Sequence, residues 1–87
     1  KDRVSTSDLN EFLTGLQAES PPPLSRGKNP KLFYGVQRGI EPPEFLFFSG
    51  NPRSIPESYR RFLERKLRER FGFFGSSIRI ALRRKAP

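Results

Sequence analysis

The sequence predicts an α+β domain of two layers, with two helices covering one face of a three-stranded sheet. Three observations carry this. Two segments place apolar residues at helical spacing, three others alternate or run apolar at strand spacing, and their order is helix, strand, strand, helix, strand. At 87 residues the chain makes one domain, 1–87, with one modest core.

The first helix is expected within residues 1–20. Ser5 and Asp8 have the three-residue spacing of a capping box, and Leu9, Phe12, Leu13 and Leu16 follow at i, i+3, i+4 and i+7. Pro21-Pro22-Pro23 ends it and starts a stiff connector over 21–30. Residues 31–49 read as a β-hairpin. Its first strand is 31–38, with Leu32, Tyr34 and Val36 sharing the core side. Its second is Glu44–Ser49, EFLFFS, apolar on both faces, after a turn marked by Gly39 and Pro42-Pro43. A second capping box, Ser54 to Glu57, opens a helix over 54–72 with Pro56 in its first turn. Tyr59, Phe62, Leu63, Leu67 and Phe71 form its buried stripe, and Gly72 is its left-handed stop. In the last strand, 77–84, Ile78, Ile80 and Leu82 face the core while Arg79, Ala81 and Arg83 face away.

Charge is distributed unevenly. Residues 1–50 hold equal numbers of basic and acidic side chains; residues 51–87 hold eleven Lys and Arg against three Glu, and so carry the entire net +8. A balance of that kind is the footprint of a polyanion-binding surface. Arg61, Arg65 and Arg68, at i, i+4 and i+7, form one row of guanidinium groups on the helix side opposite the apolar stripe. Arg79 and the tail Arg83-Arg84-Lys85 extend the basic area. Glu57–Arg61, Arg60–Glu64, Glu64–Arg68 and Arg65–Glu69 are spaced for ion pairs along the helix, the bland explanation of the same arginines. Lys66 and Arg70 fall inside the apolar arc, with their stems expected across core side chains and their charged ends in water.

The sheet face turned from the helices is expected to show Phe33, Gln37, Arg79, Ala81 and Arg83, with either Phe45 and Phe47 or Leu46 and Phe48. Aromatic groups beside arginines stack bases, but a greasy second face also suits docking of another domain, and docking through Phe33, Gln37 and Arg79 is the favoured reading.

Catalysis and metal binding find little to work with. The chain has no His and no Cys, its carboxylates belong to caps and helix pairs, and no phosphate-loop motif appears. The expectation is no enzymatic activity, no cofactor and no metal in this segment. No apolar run approaches the ~20 residues of a membrane span, and the basic helix has no spare apolar face for a lipid surface. Gly72-Phe73-Phe74-Gly75 spells GxxG, but between a helix and a strand with apolar middle residues, so a helix stop and a turn explain both glycines. The chain starts at Lys1 and holds no methionine, and is read as a piece of a longer protein.

STSDLN at Ser5–Asn10, PPPL at Pro21–Leu24, NPKLFYGVQ at Asn29–Gln37, PPEFLFF at Pro42–Phe48 and IPESYRRFLERKLRERFGFFGSSIRI at Ile55–Ile80 resemble the C-terminal KH-like domain of the EngA (Der) family of bacterial GTPases. The resemblance covers nearly the whole chain. It implies a KH-like fold, a cytoplasmic monomer, ribosomal RNA of the large-subunit precursor as partner, and GTPase domains of the same chain as neighbours, which would hold the GTP and Mg. The sequence departs from an ordinary KH domain at Ser49–Pro56, SGNPRSIP, which replaces a core helix and its GxxG loop, so RNA contact is expected from Arg61, Arg65, Arg68, Arg79, Arg83, Arg84 and Lys85 instead.

Overall fold

The computed structural model describes residues 3–85. Its elements are α1 (Thr6–Glu19), β1 (Leu32–Ile40), β2 (Pro43–Ser49), α2 (Glu57–Phe71) and β3 (Arg79–Arg84), with a single 3-10 turn at Pro52–Ser54 ahead of α2. The sheet order is β1-β2-β3, with β1 antiparallel and β3 parallel to β2.

The doubly apolar β2 is the central strand, with both of its edges paired. Phe45 and Phe47 point to the helices and are fully buried, each contributing about 1.5–3 kcal/mol by removal from water. Leu46 and Phe48 take the outer face. Leu9 and Leu13 of α1, with Tyr59, Leu63 and Leu67 of α2, pack in the same cluster as Phe45 and Phe47. Ile80 and Leu82 pair in register with Phe45 and Phe47 and pack against this core, as their alternation predicts.

The helix ends divide. Ser5 caps α1, its hydroxyl accepting the Asp8 N–H at 3.0 Å. Gly72 ends α2 in the left-handed region at φ +78°, and its N–H donates to the Arg68 carbonyl. The Ser54 cap does not form. Pro56 occupies the cap position, and Ser54 lies in the 3-10 turn, where its hydroxyl accepts from Asn51 Nδ2 at 2.6 Å.

Strand β1 corrects the expected alternation. Leu32 pairs with Ser49 and Tyr34 with Phe48, so Phe33 is an extra residue in a bulge, and the side chains from Tyr34 to Gln37 change face until a second register shift between Gln37 and Gly39. Tyr34 and Val36 therefore lie outside and Gly35 and Gln37 inside. A Cβ on Gly35 would lie 2.5 Å from the Phe47 ring, so only glycine lets that ring lie against the strand.

As an edge strand β1 needs partners for its outward backbone groups. The side chains of α1 supply them: Asn10 bonds both the N–H and the carbonyl of Gly35, at 2.9 and 2.8 Å, and Gln17 does the same for Leu32, at 2.8 Å each. These two amides, seven residues apart on one helix face, fix α1 along the strand.

Candidate nucleic-acid interface

Six of the seven expected phosphate-binding cations are exposed, and they fall on opposite layers. Arg61 and Arg65 stand on the solvent side of α2; Arg79 and Arg83 stand on the outer face of the sheet, with Arg84 and Lys85 following at the end of β3. Arg61 is 67% exposed and reaches Glu57 only at 3.8 Å. The Arg65 guanidinium lies 5.4 Å from the centre of the Phe62 ring, and among the described residues it forms no ion pair.

Arg68 is different, and the expected row of three is broken there. Its Nη1 donates to the carbonyls of Phe73, at 2.7 Å, and Ser76, at 2.6 Å, while Nη2 meets Glu64 at 3.0 Å. The side chain folds over the turn after α2 and closes it. Nothing in a 3.6-residue period reveals this, since the accepting carbonyls exist only after Gly72 and Gly75, both at positive φ, have turned the chain. Arg60, expected to pair with Glu64, instead donates to the carbonyl of Ile80 and so joins α2 to the exposed edge of β3. Tyr59 donates to the Ser20 carbonyl at 2.7 Å and joins α2 to the end of α1; burial pushes its hydroxyl pKa up to about 12.

The ion pairs along α2 are partly those expected. Glu57–Arg61 and Glu64–Arg68 form; Glu57 also meets Arg60 at 3.4 Å and Glu69 meets Lys66 at 3.5 Å. The Lys66 ammonium lies 5.8 Å from the centre of the Phe62 ring and the Arg70 guanidinium 4.8 Å from that of Phe71, so their charged ends sit over rings.

On the outer sheet face Phe33 is 45% and Tyr34 46% exposed, beside half-buried Val36, Leu46 and Phe48. The Lys85 ammonium lies 4.8 Å and that of Lys31 5.8 Å from the centre of the Phe33 ring. Arg38 pairs with Glu44 at the far end of this face. Its hydrogen bond holds the Glu44 carboxyl below the usual carboxylate range, with Arg79 and Arg83 adding to the effect. Gln37, expected here, is instead 7% exposed on the helix side: its Oε1 accepts the Val4 N–H at 2.6 Å and its Nε2 donates to the Gly39 carbonyl. The bulge at Phe33 reversed its face, and it is withdrawn from the docking set.

Among the described residues no group of three or more Asp, Glu, His or Cys is placed to hold a metal ion, and no helix is long and apolar enough to cross a membrane. The arrangement is that of a small α+β domain presenting guanidinium groups on one layer and an aromatic, basic-rimmed sheet on the other.

Comparison with known families agrees with that class. Residues 3–83 match the family model described as the KH-domain-like region of EngA bacterial GTPase enzymes, C-terminal. The chain belongs to this family. It is 49% identical over 83 residues to the GTPase Der of Gemmatimonas aurantiaca and 47% identical over 83 residues to that of Chloroherpeton thalassium, covering 95% of this chain in both cases. The GTPase Der of Salinispora arenicola is 47% identical over 81 residues, 93% of the chain. The chain spans only 17–19% of the length of these relatives.

Proposed function

We propose that this domain is the C-terminal RNA-contacting module of a bacterial GTPase that acts in assembly of the large ribosomal subunit, gripping ribosomal RNA through phosphates rather than bases. The observation that carries the reading is the pair Arg61 and Arg65: two guanidinium groups one helical turn apart, exposed, one held loosely and one without an ion pair among the described residues, on the segment that supplies the net charge of +8. Guanidinium forks match phosphate oxygens in pairs. Arg84 and Lys85 add charge at the end of β3. GTP and Mg belong, on this reading, to the remainder of a protein built like the much longer relatives.

Three to five phosphate contacts give a slope of roughly −2 to −4 in log K against log salt concentration. Titrating a structured ribosomal RNA fragment at increasing KCl tests this. Salt-independent binding, or an unchanged slope after Arg61→Glu with Arg65→Glu, rejects it.

A second reading concerns the other layer. The aromatic sheet face around Phe33, with Arg79 at its edge, supports docking onto the GTPase domains of the same chain. Phe33→Ser with Arg79→Glu is expected to loosen the arrangement of domains, read by small-angle scattering, while RNA affinity through Arg61 and Arg65 persists. An unchanged scattering profile rejects docking through this face.

A further inference from the structure

A cleft at the loop end of the molecule, apart from the helix row and the outer sheet face, carries three cations that have no assigned role. One wall is the turn Ser25–Lys28, closed by two reciprocal backbone hydrogen bonds of 2.9 Å. Its central residues, Arg26 at φ +52° and Gly27 at φ +75°, are both left-handed, as a two-residue turn of the primed type requires. Arginine in that region is uncommon, because its Cβ crowds the backbone. The other wall is the link from Asn51 to Pro56, which contains the 3-10 turn. There the Asn51 N–H donates to Ser49 Oγ at 3.1 Å and Asn51 Nδ2 donates to Ser54 Oγ. The side chains of Arg26, Lys28 and Arg53 line the cleft together with Ser25, Asn51 and Ser54.

No carboxylate lines it, and among the described residues none of the three cations forms an ion pair. Three positive charges around one concavity repel one another and focus a field on anions. The groups present, guanidinium, ammonium and hydroxyl, are those that bond phosphate oxygens. The cleft is also anchored to the strands that end beside it. Ser49 Oγ donates to the Pro30 carbonyl, Lys85 N–H to the Ser49 carbonyl, and Arg84 Nη1 to the Gly50 carbonyl at 2.9 Å. The cationic tail therefore begins at the cleft's base. A lone phosphate needs one or two such groups; cations spread along a cleft and on to a neighbouring tail fit consecutive phosphates of one chain.

We propose that the cleft between the Ser25–Lys28 turn and the Asn51–Pro56 link is a second RNA-backbone site, in which Arg26, Lys28 and Arg53 hold successive phosphates on a path leading to Arg84 and Lys85. It rests on the RNA reading above but uses different residues. That difference lets one experiment separate the two.

The experiment measures binding of a ribosomal RNA hairpin to the whole chain over a KCl series. The variants are Arg26→Gln/Lys28→Gln/Arg53→Gln and, in parallel, Arg61→Gln/Arg65→Gln. At about 0.7–0.9 per phosphate contact, the first variant is expected to flatten the salt slope by roughly 2 to 3. Amide shifts of Ser25, Asn51 and Ser54 in the unmutated chain are expected to move on addition of the RNA, an independent readout should the triple variant fold poorly. A triple variant of unchanged slope, or amides that stay still while RNA binds, overturns the cleft and leaves the helix reading intact. A flattened slope in the triple variant alone supports the cleft and removes the helix row. Salt-independent binding by the unmutated chain overturns both.

Discussion

The arginines of α2 and the cations of the loop cleft are similar in kind and opposite in employment. On α2, Tyr59, Arg60 and Arg68 each donate to backbone carbonyls of other segments, at Ser20, Ile80, and Phe73 with Ser76. Acids from the same helix take up more of its charge. In the cleft, Arg26, Lys28 and Arg53 stand exposed without an ion pair among the described residues. A segment dense in arginine thus commits part of its charge to holding its own fold together. Carbonyls left over at turns and strand edges compete for guanidinium groups, and a buried or half-buried carbonyl gains more from the bond than a solvated one.

That contrast can be broken most sharply at Arg68. Arg68→Gln is expected to cost about 1–3 kcal/mol, since the carbonyls of Phe73 and Ser76 lose a charged donor; urea unfolding at the wild-type midpoint checks it, and a silent substitution would return Arg68 to the free set. Arg60→Gln, which gives up the single bond to Ile80, is expected to cost about 0.5–1.5 kcal/mol in the same assay. Arg61→Gln with Arg65→Gln should leave stability within about 0.5 kcal/mol per site while weakening RNA binding at low salt, the reverse of Arg68.

Tyr59 sharpens the comparison through pH. Its folded pKa, raised to about 12, lies above the unfolded value of about 10. The unfolded chain therefore loses this proton first. The contribution is present in full below pH 10 and is lost as pH rises through 12. Tyr59→Phe is expected to flatten the fall in thermal midpoint over that window, the smallest of these effects. An identical alkaline profile for the variant would show that burial of the Tyr59 hydroxyl does not set it.

Much of the architecture is legible in short-range pattern. The Leu9–Leu13 and Tyr59–Leu63–Leu67 spacings, the Ser5 cap, the Gly72 stop, the two-faced β2 and the alternation of β3 all reappear as read. The failures have specific causes. One inserted residue at Phe33 reverses the faces of Tyr34, Val36 and Gln37, and a bulge leaves no mark on period two. Ser54 was lost as a cap because Pro52 starts a 3-10 turn that takes its hydroxyl. The cleft has no local signature because its walls lie more than twenty residues apart and its three cations are divided between them.

By itself the sequence settled which segments become helices and strands, which side chains are apolar enough to be buried, and that net positive charge accumulates after residue 50. The fold decided which of those charges remain for a ligand. Hydrogen-bonding partners far along the chain meet only after the sheet has formed, and no local periodicity encodes them.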